Sequence, residues 1–347
     1  MRWTIDDVIR SIHSPSVPQL AVPGYTGESG VRRIGLAVES MRRHTSNEGW
    51  QAMSGLCSGG YKLYGHGLDD SNVEVDSILT ESNADVVVVQ DKKEWDAKPK
   101  DFREERARFV GIAQLANRSD IFRVTAIRDA QHKPQYHSEA AEEMGAHAWI
   151  AFYHPRIVNH LAPYTRPNHI IRTYNTVDPS EVPDFSPDKS GAILSGAMNR
   201  KVYPLRNNLL AWHKDFPDVS CIKHPGYHRD GSNTPEYLKT ISKHKVAFCT
   251  CSIYGYALRK IIEATACGCR VITDLPEDEV LPEIDGNLIR MHPTATKENV
   301  RKILAWSVLS YDPSEQKHFA EKAIQFYDYR QVGRRLACDI EKLRSEY

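Results

Sequence analysis

The chain has 347 residues, 41% hydrophobic and 26% charged, with Lys+Arg and Asp+Glu each numbering 45. That length holds two domains, and the zero formal charge excludes a whole-molecule electrostatic draw to nucleic acid or membrane. No run of about 18 apolar residues is present and Met1-Arg2-Trp3-Thr4 opens no signal-peptide pattern, so the expected setting is the cytoplasm.

Residues 1–30 read as a helix, "TIDDVIRSI" capped by Thr4, followed by a Pro/Gly-rich lead-in. Strand-length apolar runs then alternate with helical segments. "RIGLAVES" (33–40), "ADVVVVQD" (84–91), "FRVTAIRD" (122–129), "AWIAFYH" (148–154) and "HIIRTYN" (169–175) read as strands. Several are apolar at consecutive positions, the pattern of parallel strands covered on both faces. "EERARFVGIAQLAN" and "SEAAEEMGAHA" read as helices between them. "ESMRRHTSNEGWQ" (39–51) follows the first strand, with Thr45 or Asn47 placed to cap the next helix.

"VDPSEVPDFSPDKSG" (177–191) carries Pro179, Pro183 and Pro187 and reads as an extended connector. Beyond it the alternation restarts with strands "GAILSGA" (191–197), "SCIKHP" (220–225), "KVAFCTC" (245–251), "CRVITD" (269–274) and "NLIRMH" (287–292). Helices are expected near 204–215 and over 256–267, with more beyond Lys297. The expectation is α/β throughout: a domain over 1–178, a Pro-rich linker over 179–190, and a domain over 191–330. A closing helix over 331–347 is expected to pack back toward the N-terminal domain. Ligands of such sheets sit at the carboxyl ends of strands, and the cleft between two domains is the default site.

Seven cysteines fit a reducing compartment. Cys249-Thr-Cys251 and Cys267-Gly-Cys269 form two CxC pairs, but zinc knuckles use longer spacers. Buried free thiols are the expectation, and no metal set is assigned.

"IIEATACGCRVIT" (261–273) puts one carboxylate, Glu263, among residues chosen for close packing. On a helix over 256–267, Arg259, Lys260 and Glu263 share a face opposite Leu258, Ile261, Ile262 and Thr265, and Gly268 ends the helix. Two readings stand: a wet surface pair with Arg259 four residues back, contributing a few tenths of a kcal/mol, or a carboxylate that holds a ligand.

Three segments in order resemble group-1 (family-4-like) glycosyltransferases. Asn175-Thr-Val-Asp178 with Phe185-Ser-Pro187 is similar to their Asn-Gly-Val-Asp turn and Phe-x-Pro, and "AILSGAMNRK" looks like the first strand of their second domain. "EATACGCRVITDLPEDEVLPEIDGNLIRMHP" is similar to their Glu-Ala-x-Ala-Cys-Gly-x-Pro-Val-Ile stretch with its Asp-Gly-Asn segment. "YPLR" (203–206) and "HPGY" (224–227) resemble the spore-maturation-type branch. The resemblance covers roughly 165–310 well, and the N-terminal half in general pattern alone.

It implies a GT-B fold, two Rossmann-like doubly wound domains facing a cleft, with a nucleotide-sugar in the second and an acceptor mainly in the first. Glu263 then accepts from the ribose hydroxyls. A helix start near Tyr254, Gly255 and Tyr256 directs free N–H groups at the diphosphate. Arg200 and Lys201, shifted from the family's Gly-Arg, and Arg206 at the next helix start are diphosphate candidates, each weighed against an ordinary solvated surface role. Two departures matter. The family's donor-sugar Glu, eight residues before Glu263, is Gly255 here, and its turn glycine is Thr176. Asp129 and His132 in "IRDAQHKPQYH", and His154 in "YHP", follow strands and are the catalytic candidates of the first domain. Arg42, Arg43 and His44 are acceptor-side candidates.

No Asp-x-Asp metal triplet was found, so a metal-independent reaction is expected, with cations and a helix N-terminus at the leaving group. No cofactor is expected beyond the co-substrate, a nucleotide-sugar and most simply a UDP-sugar. By analogy with the family the anomeric configuration is retained. The acceptor is a glycan or other hydroxyl compound. Hydroxymethylated DNA is an alternative, weakened because residues 1–178 hold 21 Lys+Arg against 23 Asp+Glu. A sugar-nucleotide epimerase and a non-catalytic nucleotide-sugar-binding protein are the readings from other classes.

Overall fold

The computed structural model describes residues 32–37, 48–65, 67–91, 109–131, 134–156, 158, 169–216, 218–222 and 234–347. Within them the chain divides into two compact units, one holding residues up to 176 together with 329–347, the other 177–328.

The first unit is built on six parallel strands: β1 (Arg33–Leu36), β2 (Lys62–Tyr64), β3 (Val86–Val89), β4 (Phe122–Ile127), β5 (Ala148–Ala151) and β6 (His169–Arg172). Their order is β2-β1-β3-β4-β5-β6. Every residue of β3 and β4 is buried, as consecutive apolar residues require when helices cover both faces. Arg123 in β4 is tolerated there because its guanidinium donates to the carbonyls of Gly145 and Leu115, at 2.8 and 3.0 Å. The helices are α1 (Glu48–Cys57), α2 (Val75–Ser82) and α3 (Pro134–Glu143).

Two local expectations are corrected. "EERARFVGIAQLAN" is no α-helix in its described part: Val110 bridges to Glu74, and a 3₁₀ stretch covers Ile112–Asn117. Gly111, at φ +78°, turns the chain between them and interrupts any helical run. The helix expected over "SEAAEEMGAHA" is displaced toward the N-terminus, starting on Pro134 and stopping at Glu143.

The second unit has five parallel strands: β7 (Ser190–Leu194), β8 (Val219–Cys221), β9 (His244–Phe248), β10 (Arg270–Thr273) and β11 (Leu288–Arg290). Their order is β11-β10-β9-β7-β8. Its helices are α4 (Pro204–Trp212), α5 (Thr234–Ile241), α6 (Arg259–Ala266), α7 (Lys297–Leu309) and α8 (Pro313–Tyr327). Residues 177–189 contain only a 3₁₀ turn, Pro179–Glu181, capped by Asp178. Ala192, Leu194, Leu209, Val246, Phe248, Ile272 and Val300 form the core of this unit.

Helix α9 (Tyr329–Arg344) returns to the first unit and packs along α1. The contact is glycine-specific. A Cβ on Gly333 would lie 2.0 Å from Gly55 backbone atoms, and one on Gly55 would lie 2.2 Å from the Tyr329 carbonyl oxygen. No helix among the described residues is long and apolar enough to cross a membrane.

Candidate functional site

Parallel sheets bind ligands where successive crossovers leave in opposite directions, at the carboxyl ends of the strands. In the second unit that point falls between β7 and β9, because β8 lies on one side of β7 and β9 on the other. The turn after β7 is Ser195-Gly196-Ala197, and the segment after β9 runs Cys249–Leu258 into α6. Ser195, Thr250 and Ser252 are all buried.

Two cations converge on this point. Arg206, in the first turn of α4, is 1% exposed. Its Nε donates to Thr250 Oγ1 at 3.0 Å, Nη1 to the Ala197 carbonyl at 2.9 Å and Nη2 to the Thr250 carbonyl at 2.7 Å. It therefore ties the turn after β7 to the segment after β9, while stacking 3.8 Å over the Tyr203 ring. Burial depresses its pKa, yet an arginine remains charged. Arg206 is therefore not solvated surface, and three of its donors serve backbone and hydroxyl oxygens.

The second cation was missed. Lys260, in the first turn of α6, donates to the Ser195 carbonyl at 3.0 Å. A Cβ on Gly196 would stand 2.0 Å from Lys260 Nζ and 2.9 Å from Arg206 Nη1. Gly196, at φ +111°, is what lets both cations approach the turn. Burial, then the nearby Arg206 charge, brings the Lys260 pKa down to about 7.

Around them, the Ser195 and Tyr237 hydroxyls hydrogen-bond at 2.8 Å. Asp274, at the end of β10, accepts from the Cys251 N–H at 2.7 Å, and burial raises its pKa. The 261–273 stretch is buried throughout, and α8 packs against α6. Arg259 Nε and Glu263 Oε1 lie 2.8 Å apart with side chains 7% and 9% exposed. The pair exists, but the wet-surface version of it does not. Nearby Glu181 has its pKa raised, first by burial and partly by the Glu263 charge.

The expected helix start at Tyr254-Gly255-Tyr256 is also corrected. Helix α6 begins at Arg259, and the N–H groups of Tyr254 and Gly255 are taken by Ser252, at its Oγ (3.2 Å) and carbonyl (2.9 Å). Tyr254 and Tyr256 stack at 6.4 Å between centroids, and Gly255 sits at φ +65° beside Pro276. Arg200 and Lys201 are exposed on the turn that leads to α4. The Asp-Gly-Asn segment supports the loops rather than the edge itself. Asn287 Nδ2 donates to Thr265 Oγ1 and the Cys269 carbonyl, and Asp285 pairs with Arg290 at 2.7 Å.

The cysteines of the two CxC pairs face carbonyls: Cys249 that of Lys260, Cys251 that of Asp274, Cys267 that of Leu238, and Cys269 those of Ile241 and His244. Burial pushes the Cys249 and Cys269 thiols up to about 12, so they stay protonated. Among the described residues no group of three or more His, Cys, Asp or Glu side chains is arranged to hold a metal.

In the first unit, Asp129 accepts from Tyr153 Oη at 3.1 Å, and His154 Nδ1 accepts from the Arg156 N–H at 3.1 Å. Asp91 at the end of β3 accepts from the Arg128 N–H at 2.9 Å and faces His137 Nδ1 at 3.6 Å. His132 and the acceptor-side trio Arg42, Arg43 and His44 lie outside the described residues, as do "HPGY" and the N-terminal helix.

The two doubly wound parallel sheets, joined in this chain order, define the GT-B fold of glycosyltransferases. Solved structures agree. Sucrose-phosphate synthase from Thermosynechococcus elongatus matches with TM-score 0.58 and 10% identity over 91% of this chain and 100% of that one. Anabaena HepE, solved with UDP and glucose, matches with TM-score 0.54 and 11% identity over 91% and 100%. A glycosyltransferase from Rickettsia africae matches with TM-score 0.53 and 10% identity over 92% and 100%. At such identity the likeness is one of fold. No family model and no curated protein matches the sequence.

Proposed function

We propose that the chain is a glycosyltransferase that moves a sugar from a UDP-sugar to a hydroxyl acceptor without a metal ion. The observation that carries this is Arg206, a buried cation at the β7/β9 switch point with no carboxylate of the described residues within ion-pair distance. A buried charge is costly unless compensated, and an anionic ligand at the strand ends supplies the compensation. HepE, with the same fold, was solved with UDP-glucose.

In this reading the diphosphate lies over the turn after β7, where the positive charge stabilises it as it departs. Glu263, held by Arg259, offers a carboxylate oxygen to the ribose hydroxyls. The anomeric configuration is retained, as in the family the sequence resembles. Asp129 and His154 are the described first-unit candidates for work on the acceptor, and a screen of glycans and hydroxymethylated DNA identifies it.

Incubation with UDP-sugars tests the reading: slow UDP release, undiminished by EDTA, is expected. Loss of activity in EDTA restored by Mn²⁺ overturns the metal-free version, and isomerised sugar marks an epimerase. Gly255, in place of the donor-contacting carboxylate, favours one second reading, a nucleotide-sugar binder, for which UDP binds tightly and no UDP is released from any donor.

A further inference from the structure

We propose that Lys260 on α6 is a residue that grips the donor's diphosphate through its ammonium group, a role for which the family resemblance offers Arg200, Lys201 and Arg206. The inference rests on the nucleotide-sugar reading and names a residue within that site.

The geometry is specific. Lys260 Nζ reaches across the switch point to the Ser195 carbonyl, 3.0 Å away, directly under Gly196. An ammonium has three donors, and among the described residues this is the one hydrogen bond it makes, which leaves two for a ligand. Among the described residues it forms no ion pair. The charged and titratable groups that face it are Arg206 from α4, Cys249 from the end of β9 and Glu263 from its own helix. Glu263 is engaged by Arg259, and the Cys249 thiol is protonated. The nearest full charge not already committed to an ion pair is therefore Arg206, of the same sign. Two like charges beneath a glycine turn are an unfavourable arrangement for an empty protein and a favourable one once two phosphate groups lie across them. Arg200 and Lys201 are exposed on the following turn, which leads to α4, where solvent screens their charge.

The arrangement has a measurable signature. With a pKa of about 7, Lys260 is largely neutral in the empty site above neutral pH. A diphosphate raises that pKa, so binding at pH 8 takes up close to one proton, and binding at pH 6 takes up little.

Calorimetry with UDP and with uridine, in buffers of different ionisation enthalpy, tests this on the full chain. In the wild type, UDP binding at pH 8 is expected to be proton-coupled and uridine binding is not. Lys260→Met should weaken UDP roughly tenfold or more while changing uridine affinity less than about twofold. Lys260→Arg should recover much of the UDP affinity but not the proton uptake, since arginine is charged throughout. UDP affinity in Lys260→Met equal to wild type overturns the proposal and leaves the nucleotide-sugar reading standing. Wild-type protein that binds no UDP sinks both. Should Lys260→Met fail to fold, the wild-type measurement decides: UDP binding without proton uptake at pH 8 overturns the role of Lys260.

Discussion

The carboxyl edges of the two sheets differ in how their charges are balanced. At the described edge of the first, charges are matched: Arg128 pairs with Glu48 at 2.8 Å, and the Asp91 and Asp129 carboxylates accept from Arg128 N–H and Tyr153 Oη. At the edge of the second, Arg206 and Lys260 end on carbonyl and hydroxyl oxygens instead. Carbonyls orient a cation but do not neutralise it. Among the described residues the first edge is electrostatically matched within the protein, whereas the proposed function has an anion complete the second.

The sharpest way to break this contrast is Arg206→Ala. It leaves two carbonyls and a hydroxyl without their donor and unties two loops, costing about 4 kcal/mol in urea unfolding and abolishing measurable UDP binding. Arg206→Lys, without the planar fork, should recover only part of either. Glu263→Ala removes the carboxylate 2.8 Å from buried Arg259, with a loss of about 3 kcal/mol in stability. It should also weaken UDP by about 1–3 kcal/mol in calorimetry. Full UDP affinity in a folded Glu263→Ala protein would return this carboxylate to a purely structural part. The smallest effect is expected in the first unit. Glu48→Ala should cost about 1 kcal/mol and leave UDP affinity within twofold of wild type, since Arg128 lies on the matched edge. A large loss of UDP affinity there would show that the two edges are not distinct in charge.

Much of the architecture is legible in the residues. "VVVV" and "FRVTAI" declare buried parallel strands, and their alternation with helices declares the fold class. Short elements are harder to see. Strand β2 has three residues, of which Lys62 is exposed, and α2 and α5 each have eight. Their identity comes from neighbours rather than from their own pattern. Lys260 was hidden for a different reason. Helical periodicity separates charged from apolar positions, but cannot say that the charged side of α6 is enclosed, as the burial of Arg259 and Glu263 shows it to be. Once that face is enclosed, the rule that charges mark solvent inverts, and Arg259 and Glu263 become a buried pair. For Arg206 the signal was equally misleading, because a basic residue near a helix start carries no mark of whether carbonyls await it.

The chain leaves the first unit after Thr176 and re-enters it at Tyr329, and the two points of departure adjoin: Val177 bridges to Asp328, and its N–H donates to the Tyr327 carbonyl at 2.9 Å. The second unit is thus a loop-like insertion spliced into the first just before α9. During synthesis α9 leaves the ribosome after residues 177–328, so the first unit waits for the helix that covers Gly55 while the second already has its whole sheet.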